Sequence, residues 1–351
     1  MLGTTLAAHS EQLDDIFDRL VHVRDRMARK MGYENFIELG YCRMERMCYD
    51  VQAVQTFREN IVRDIVPVVS RLRLENAKRL GIDTFRLYDN EVFAPGGDPT
   101  PCGKEALFAA AQKMYDGMGD VPGTFFRMMC QNEAFDVDAR PNKWGGGYCT
   151  EFVKYHQPFI LANFNGTSGD VDVVTHEAGH ALNAYLIANN RFALELGCGG
   201  METAETHSMS MEFFAWPYLD GFFPKAGDAQ RYRFQHALDA LSFLPYGTMV
   251  DEFQHRVYAE PDLTPAGRNA VWLELEAKYR PHIDQRGIPY LERGTRWQYQ
   301  MHIYETPFYY IDYCLAQTAA FQFLLASQDD YDDAFARYLH LSEQGLSLIH
   351  I

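Results

Sequence analysis

Between Glu11 and Gly32 apolar side chains recur at Leu13, Ile16, Phe17, Leu20, Val21, Val23 and Met27, the 3.6-residue period of an amphipathic helix. Val51 to Leu80 repeats the pattern, and the Pro/Gly-rich run Pro95–Pro101 after it reads as a loop. Lys104–Gly117 and Val121–Met129 are helical again. Residues 133–168 behave differently. Short β-prone runs at Tyr148–Val153 and Phe159–Phe164 lie among Gly, Pro and Asn breakers, which predicts a small hairpin or an edge strand. Helical periodicity returns at Val171–Asn189, Met201–Tyr218, Ala229–Tyr258, Pro265–Tyr279 and Pro307–Ser327, with Gly197–Gly200 as a break. The pattern predicts a mainly α fold with a minor β element and contains no internal repeat.

Length and charge narrow the possibilities. At 351 residues the chain is long enough for two average domains or one large one with subdomains. Its formal net charge of −16 repels phosphate backbones and anionic headgroups, so nucleic acid and membranes are not expected partners. Seven scattered cysteines without a C-x-x-C pair are expected to be free thiols in a reducing compartment. The first residues lack a cationic segment followed by an apolar one, and no run approaches the roughly 20 apolar residues of a membrane span. A cytoplasmic location is the expectation.

The Val171–Asn189 helix carries His176-Glu177-Ala178-Gly179-His180, an H-E-x-x-H pattern for which Asp170 or Asp172 is the expected N-cap. Histidines four apart sit about 40° apart around a helix and about 6 Å along it, so both imidazoles can converge on one ion. Zinc accepts such nitrogens at about 2.0–2.1 Å. Glu177 is placed to take a proton, as general base, from the water such an ion activates. The surrounding positions Val173, Val174, Ala178, Ala181, Leu182, Tyr185 and Leu186 are apolar, where two histidines and a glutamate without a partner would be costly. A catalytic zinc keeps three protein ligands. Asn183 and Leu186 rule out the extended motif that takes its third histidine from the same segment. The third ligand is therefore expected from a second helix, and Met201–Tyr218 offers Glu202, Glu205 and Glu212. Glu205 and Glu212 share a face with Ser208, and Glu202 stands as a supporting group, but periodicity alone does not choose among the three.

H-E-x-G-H followed by A-E-T-H-S-M-S-M-E, with Glu205 29 residues beyond His176, resembles the thimet oligopeptidase family of zinc peptidases, its oligoendopeptidase F branch in particular. The blocks Gly145–Thr150, Pro158–Ala181 and His302–Phe323 occur in the family's order. The resemblance, which runs from about Glu11 to Gly345, implies a large helical metallopeptidase domain with a small sheet or edge strand beside the H-E-x-x-H helix. It implies one zinc ion on His176, His180 and Glu205, Glu177 as general base, and Glu212 as a carboxylate near the ligands. It further implies that His302 and two tyrosines hydrogen-bond the substrate carbonyl and the developing oxyanion. Tyr304, Tyr309, Tyr310 and Tyr313 are the candidates, and Tyr310 and Tyr313 are preferred because three residues apart they share a helical face. One such donor is worth about 2.7–4 kcal/mol to an acyl-transfer transition state. Segments 145–149 and 159–165 resemble the family's edge strand, which holds an extended peptide by main-chain pairing, and Gly145–Gly147 permit close backbone approach. His207 is assigned a capping or core role.

The expected activity is that of a zinc metalloendopeptidase acting on short oligopeptides. The alternatives are a metal carboxypeptidase of related helical fold and a zinc-binding protein that has lost activity, the latter disfavoured by the intact Glu177. The resemblance also implies a catalytic domain over residues 1–345, made of a helical scaffold subregion (1–90) and an active-site subregion (91–345). Family members carry a further upstream helical lobe, so the chain is expected to be a fragment with more exposed apolar surface than a soluble monomer normally shows. Residues 346–351 read as a translated sequencing adapter and are expected to be a non-native tail.

Overall fold

The computed structural model describes residues 2–189 and 200–344. Residues 197–199 of the expected break at Gly197–Gly200, and the tail 346–351, fall outside them. In chain order the helices are Leu2–Lys30 (α1), Phe36–Arg43 (α2), Val51–Asn60 (α3), Val66–Leu80 (α4), Lys104–Met118 (α5) and Asp120–Gln131 (α6). Strands Phe135–Asp138 (β1), Tyr148–Phe152 (β2) and Gln157–Phe164 (β3) follow, then Gly169–Asn189 (α7) and Met201–Phe214 (α8). Asp228–Ala259 (α9), Pro265–Tyr279 (α10), Pro289–Glu292 (α11), Met301–Glu305 (α12), Tyr310–Asp329 (α13) and Tyr331–Glu343 (α14) complete the set. The fold is mainly α with one small sheet, as the patterning predicts. No described helix is long and apolar enough to cross a membrane.

The chain divides into two compact units, Met1–Pro95 with Leu238–Cys314, and Gly96–Ala237 with Leu315–Ile351. The first is built on aromatic packing, with Phe17 of α1 4.9 Å from the Trp297 ring and Phe253 5.2 Å from Trp272. Two buried ion pairs, Arg46–Asp312 at 2.6 Å and Arg58–Asp251 at 2.7 Å, tie its helices together. The single helical pattern read over Val51–Leu80 is interrupted by a π turn at Ile61–Ile65. Pro67 explains it: the proline ring has no N–H to offer the carbonyl four residues back and crowds it, so the ladder widens just upstream.

In the second unit, α5, α6, α7, α8 and α14 share one core. Met114, Tyr115 and Phe126 meet Val174, Ala178 and Leu182 of α7, with Met211, Phe214 and Tyr338 beside them. The sheet has the order β1-β3-β2, with β1 parallel and β2 antiparallel to the central β3. Of the two segments expected at the edge, only β2 lies there; β3 is paired on both sides, and its Pro158, Ile160 and Ala162 face the core. Neither Asp170 nor Asp172 caps α7 from outside. The Asp170 carboxylate accepts the backbone N–H groups of Asn165 and Gly166 in the preceding loop, and Asp172 accepts the Tyr232 hydroxyl.

Candidate metal centre and active site

His176 and His180 stand one turn apart on α7, their ring centroids 5.1 Å apart. Gly179 between them lets α8 approach. A Cβ there would fall 2.7 Å from the His207 carbonyl oxygen and 2.8 Å from the Ser208 Cα. This close crossing brings Glu205, one turn before Ser208, to the two imidazoles: Oε2 lies 3.5 Å from each Nε2. These three residues form the group among the described residues whose donor atoms could hold a metal ion. The fit can be checked by arithmetic. Donors at about 2.05 Å from a tetrahedral zinc stand about 3.4 Å apart, close to the observed 3.5 Å. Two imidazole nitrogens and a carboxylate, with 25%, 21% and 6% of their side chains exposed, are also donors zinc favours.

Hydrogen bonds orient this set. Ser208 Oγ donates to Glu205 Oε2 at 3.1 Å. Burial works to raise the Glu205 pKa, yet the hydrogen bonds from His176 and His180 prevail and hold it below the usual carboxylate range. Glu212, two turns beyond Glu205 on α8, places Oε1 2.6 Å from His176 Nδ1 and Oε2 2.6 Å from His236 Nε2. Burial opposes its ionisation too, but the two imidazoles keep it at about 2. Glu202 lies in the first turn of α8 outside the donor set, its carboxylate folded back toward Gly200. His207 is buried against Ser342 Oγ at 3.1 Å, and burial, with the His180 charge adding to it, depresses its pKa to about 3.

Glu177 faces the sheet. A Cβ on Gly147 would sit 3.5 Å from its Oε1, so the glycine leaves the carboxylate room beside the start of β2. Burial raises the Glu177 pKa above the usual carboxylate range, against the pull of His176, His180 and the Cys149 backbone amide. The loop leading into β2 is pinned by Asn163 Nδ2, which donates to the carbonyls of Trp144 and Gly146 at 2.9 Å each.

In the first unit, His302, Tyr310 and Tyr313 do come together. The His302 ring lies 5.0 Å from Tyr310 and 6.0 Å from Tyr313, and Tyr309 lies 4.7 Å from Tyr313 with the ring planes tilted by 43°. Gln300 Nε2 donates to His302 Nδ1 at 2.9 Å. Tyr310 is nearly buried, and burial pushes its phenol pKa up, so the hydroxyl keeps its proton. Tyr304, by contrast, packs between Phe17 and Trp297 with its hydroxyl buried, a core role.

Residues 121–340 match the family model described as peptidase family M3. The chain belongs to peptidase family M3. Among M3 relatives, oligopeptidase PepF of Bacillus subtilis (strain 168) is 23% identical over 305 residues, covering 82% of this chain and 43% of that protein. The solved structure of PZ peptidase A with an inhibitor superimposes with a TM-score of 0.93 at 46% identity, over 97% of this chain and 60% of that one. A structure described as an oligoendopeptidase F from Bacillus anthracis strain Ames gives 0.86 at 41%, over 97% and 58%. The chain thus spans about half of its relatives' length.

Three groups at this M3 site escaped the sequence reading. His236 reaches Glu212 from α9, Trp216 Nε1 reaches His236 Nδ1 at 3.0 Å from the turn after α8, and the Cys149 amide lies against Glu177. None stands in a recognisable spacing to the H-E-x-x-H pair. The only available signal was an imidazole on an otherwise packed helix.

Proposed function

We propose that the chain carries the catalytic part of a zinc-dependent endopeptidase that hydrolyses peptide bonds within short oligopeptides. The observation that carries this reading is the convergence of His176, His180 and Glu205 at 3.5 Å, with Glu177 on the same helix turned toward an edge strand. The names of the relatives, an oligopeptidase and a peptidase, support peptides as the substrate class. His176, His180 and Glu205 would hold the ion, and a zinc ion there supplies Lewis acidity and makes water a nucleophile at neutral pH.

The chain's own groups do the rest. Among the described residues no strand pairs with the outer edge of β2, so an extended peptide can pair with it through main-chain hydrogen bonds, which sets register with little demand on side chains. Glu177 accepts the proton of the attacking water and delivers it to the departing amine nitrogen. Its burial-raised pKa brings it nearer the pH at which both transfers are efficient. By family resemblance, His302, Tyr310 and Tyr313 donate to the carbonyl oxygen as it gains charge, and the proton-retaining phenol of Tyr310 suits a donor.

The test is cleavage of internally quenched peptides with amidated C-termini, with and without chelator. Cleavage inside the peptide, abolished by chelation and restored by zinc, is expected. Glu177→Gln should keep zinc and fold and lose roughly 10²–10⁴-fold in rate. Full activity of Glu177→Gln would sink the mechanism, and cleavage confined to peptides with a free C-terminal carboxylate would replace it with a carboxypeptidase.

A further inference from the structure

The hydrogen bonds behind the metal centre have a direction, and one atom sets it. An indole N–H donates and has no lone pair with which to accept. Trp216 Nε1 lies 3.0 Å from His236 Nδ1, so that nitrogen must present its lone pair and the ring proton must sit on Nε2. His236 Nε2 is 2.6 Å from Glu212 Oε2 and therefore donates to the carboxylate. With Oε2 engaged as an acceptor, Oε1 meets His176 Nδ1 at 2.6 Å, also as an acceptor. Nδ1 of His176 therefore keeps a proton, and Nε2, the atom that faces Glu205 Oε2 and His180, is the one that offers a lone pair to an ion once it releases the proton it shares with Glu205. The opposite tautomer of His236 would aim a lone pair at the carboxylate. Glu212 would answer by rotating away or by taking up a proton, and either leaves the His176 ring free to put its own proton on Nε2, where it blocks a metal.

We propose that Trp216 and His236 are positioning residues that fix the tautomer and ring orientation of His176 through Glu212. This rests on His176 being a metal ligand. Aromatic walls support the arrangement: Tyr232 stacks on His236 with ring planes 8° apart, Phe213 lies 4.9 Å away, and the His236 side chain is only 10% exposed. Water is thereby kept from replacing the indole as donor. A carboxylate behind a metal-binding imidazole is a common arrangement. The inference here is the extension through a second imidazole to a group that can only donate.

The experiment measures zinc affinity of the metal-free chain by competition with a chromophoric chelator, and reads histidine tautomers by long-range ¹H–¹⁵N correlation of ring-labelled protein. Trp216→Phe keeps the ring and removes the N–H; His236→Phe removes the donor to Glu212; His236→Gln restores an N–H at that place. The two phenylalanine variants should bind zinc roughly 10–100-fold more weakly. His236→Gln should stay within about threefold of the parent, a rescue that packing alone would not produce. The parent should show His236 as a single tautomer with its proton on Nε2, and Trp216→Phe a mixture. Unchanged zinc affinity in both phenylalanine variants, or a single His236 tautomer without the indole N–H, overturns the proposal. If Trp216→Phe does not fold, the His236→Phe and His236→Gln pair decides by the same criterion. A parent chain that binds no zinc, or a His176→Ala variant that binds it as tightly, would instead remove the metal centre itself.

Discussion

Replacing Gly179 with alanine adds one methyl group at the crossing of α7 and α8. The new Cβ would lie 2.7 Å from the His207 carbonyl oxygen and 2.8 Å from the Ser208 Cα, short by about 0.6–0.7 Å of the 3.4 Å at which ordinary contact begins. Both neighbours are backbone, so no rotamer change relieves the clash and the helices must move apart. Glu205 rides on α8 three residues before Ser208, and its Oε2 stands 3.5 Å from both imidazole nitrogens. A shift of about 0.6 Å exceeds by threefold the 0.2 Å or so that metal–ligand distances tolerate. Overpacking of this kind costs about 1–3 kcal/mol. The metal-free chain can escape it by separating the helices, and alanine returns up to about 1 kcal/mol of helix propensity over glycine. The zinc-bound state cannot escape, because the donors must close again. The strain therefore shows mainly in zinc affinity, as a loss of about 5–150-fold, with little change in the melting temperature of the metal-free protein. Chelator competition and a thermal melt on the same preparation measure both. Zinc binding within twofold of the parent would refute the argument that this helix crossing assembles the donor set.

Glu205→Ala should lose bound zinc while Glu202→Ala keeps most of it, since only Glu205 points its carboxylate at the two imidazoles; elemental analysis of both purified variants checks this, and equal metal content would refute the assignment. His302→Ala, Tyr310→Phe and Tyr313→Phe should each lower kcat more than they raise KM, as for hydrogen bonds that strengthen in the transition state; a change confined to KM would make them binding or packing groups. Burial first, then the Arg280 and Arg73 charges, depresses the His282 pKa to about 3 from an ordinary 6.5. The unfolded chain takes up that proton first, so the stabilisation is complete above about pH 6.5 and is lost as pH falls toward 3, at up to about 1.4 kcal/mol per pH unit. His282→Asn should flatten that acid limb in denaturant titrations, and an unchanged slope would show that other groups control it.

What could be read from the sequence divides along a physical line. The H-E-x-x-H pair was legible because both histidines belong to one helix, and a period of 3.6 fixes their relation without any tertiary information. The choice of Glu205 over Glu202 and Glu212 was legible only by family resemblance, because it depends on how closely α8 crosses α7, and that is set by a missing side chain at Gly179. β1 was missed for a similar reason. Phe135–Asp138 is four residues of alternating polarity, too short to signal by itself, and it is a strand only because Ile160, 25 positions later, pairs with Phe135. Asp170 and Asp172 look like helix caps because Asp at that place usually is one. Here they have better partners, in the turn before α7 and in Tyr232 on a distant helix.

His236 and Trp216 mark the limit most clearly. Glu212 and His236 are 24 positions apart on different helices, and no periodicity connects them. Once they are placed, elementary chemistry assigns their protons, since an indole donor at one end and a shared carboxylate in the middle put the His236 proton on Nε2 and a proton on His176 Nδ1. Spacing can nominate the ligands of such a centre. The order in which their hydrogen bonds run, and so the side of each imidazole that is left to bind an ion, follows only from the partners that the fold brings up behind them.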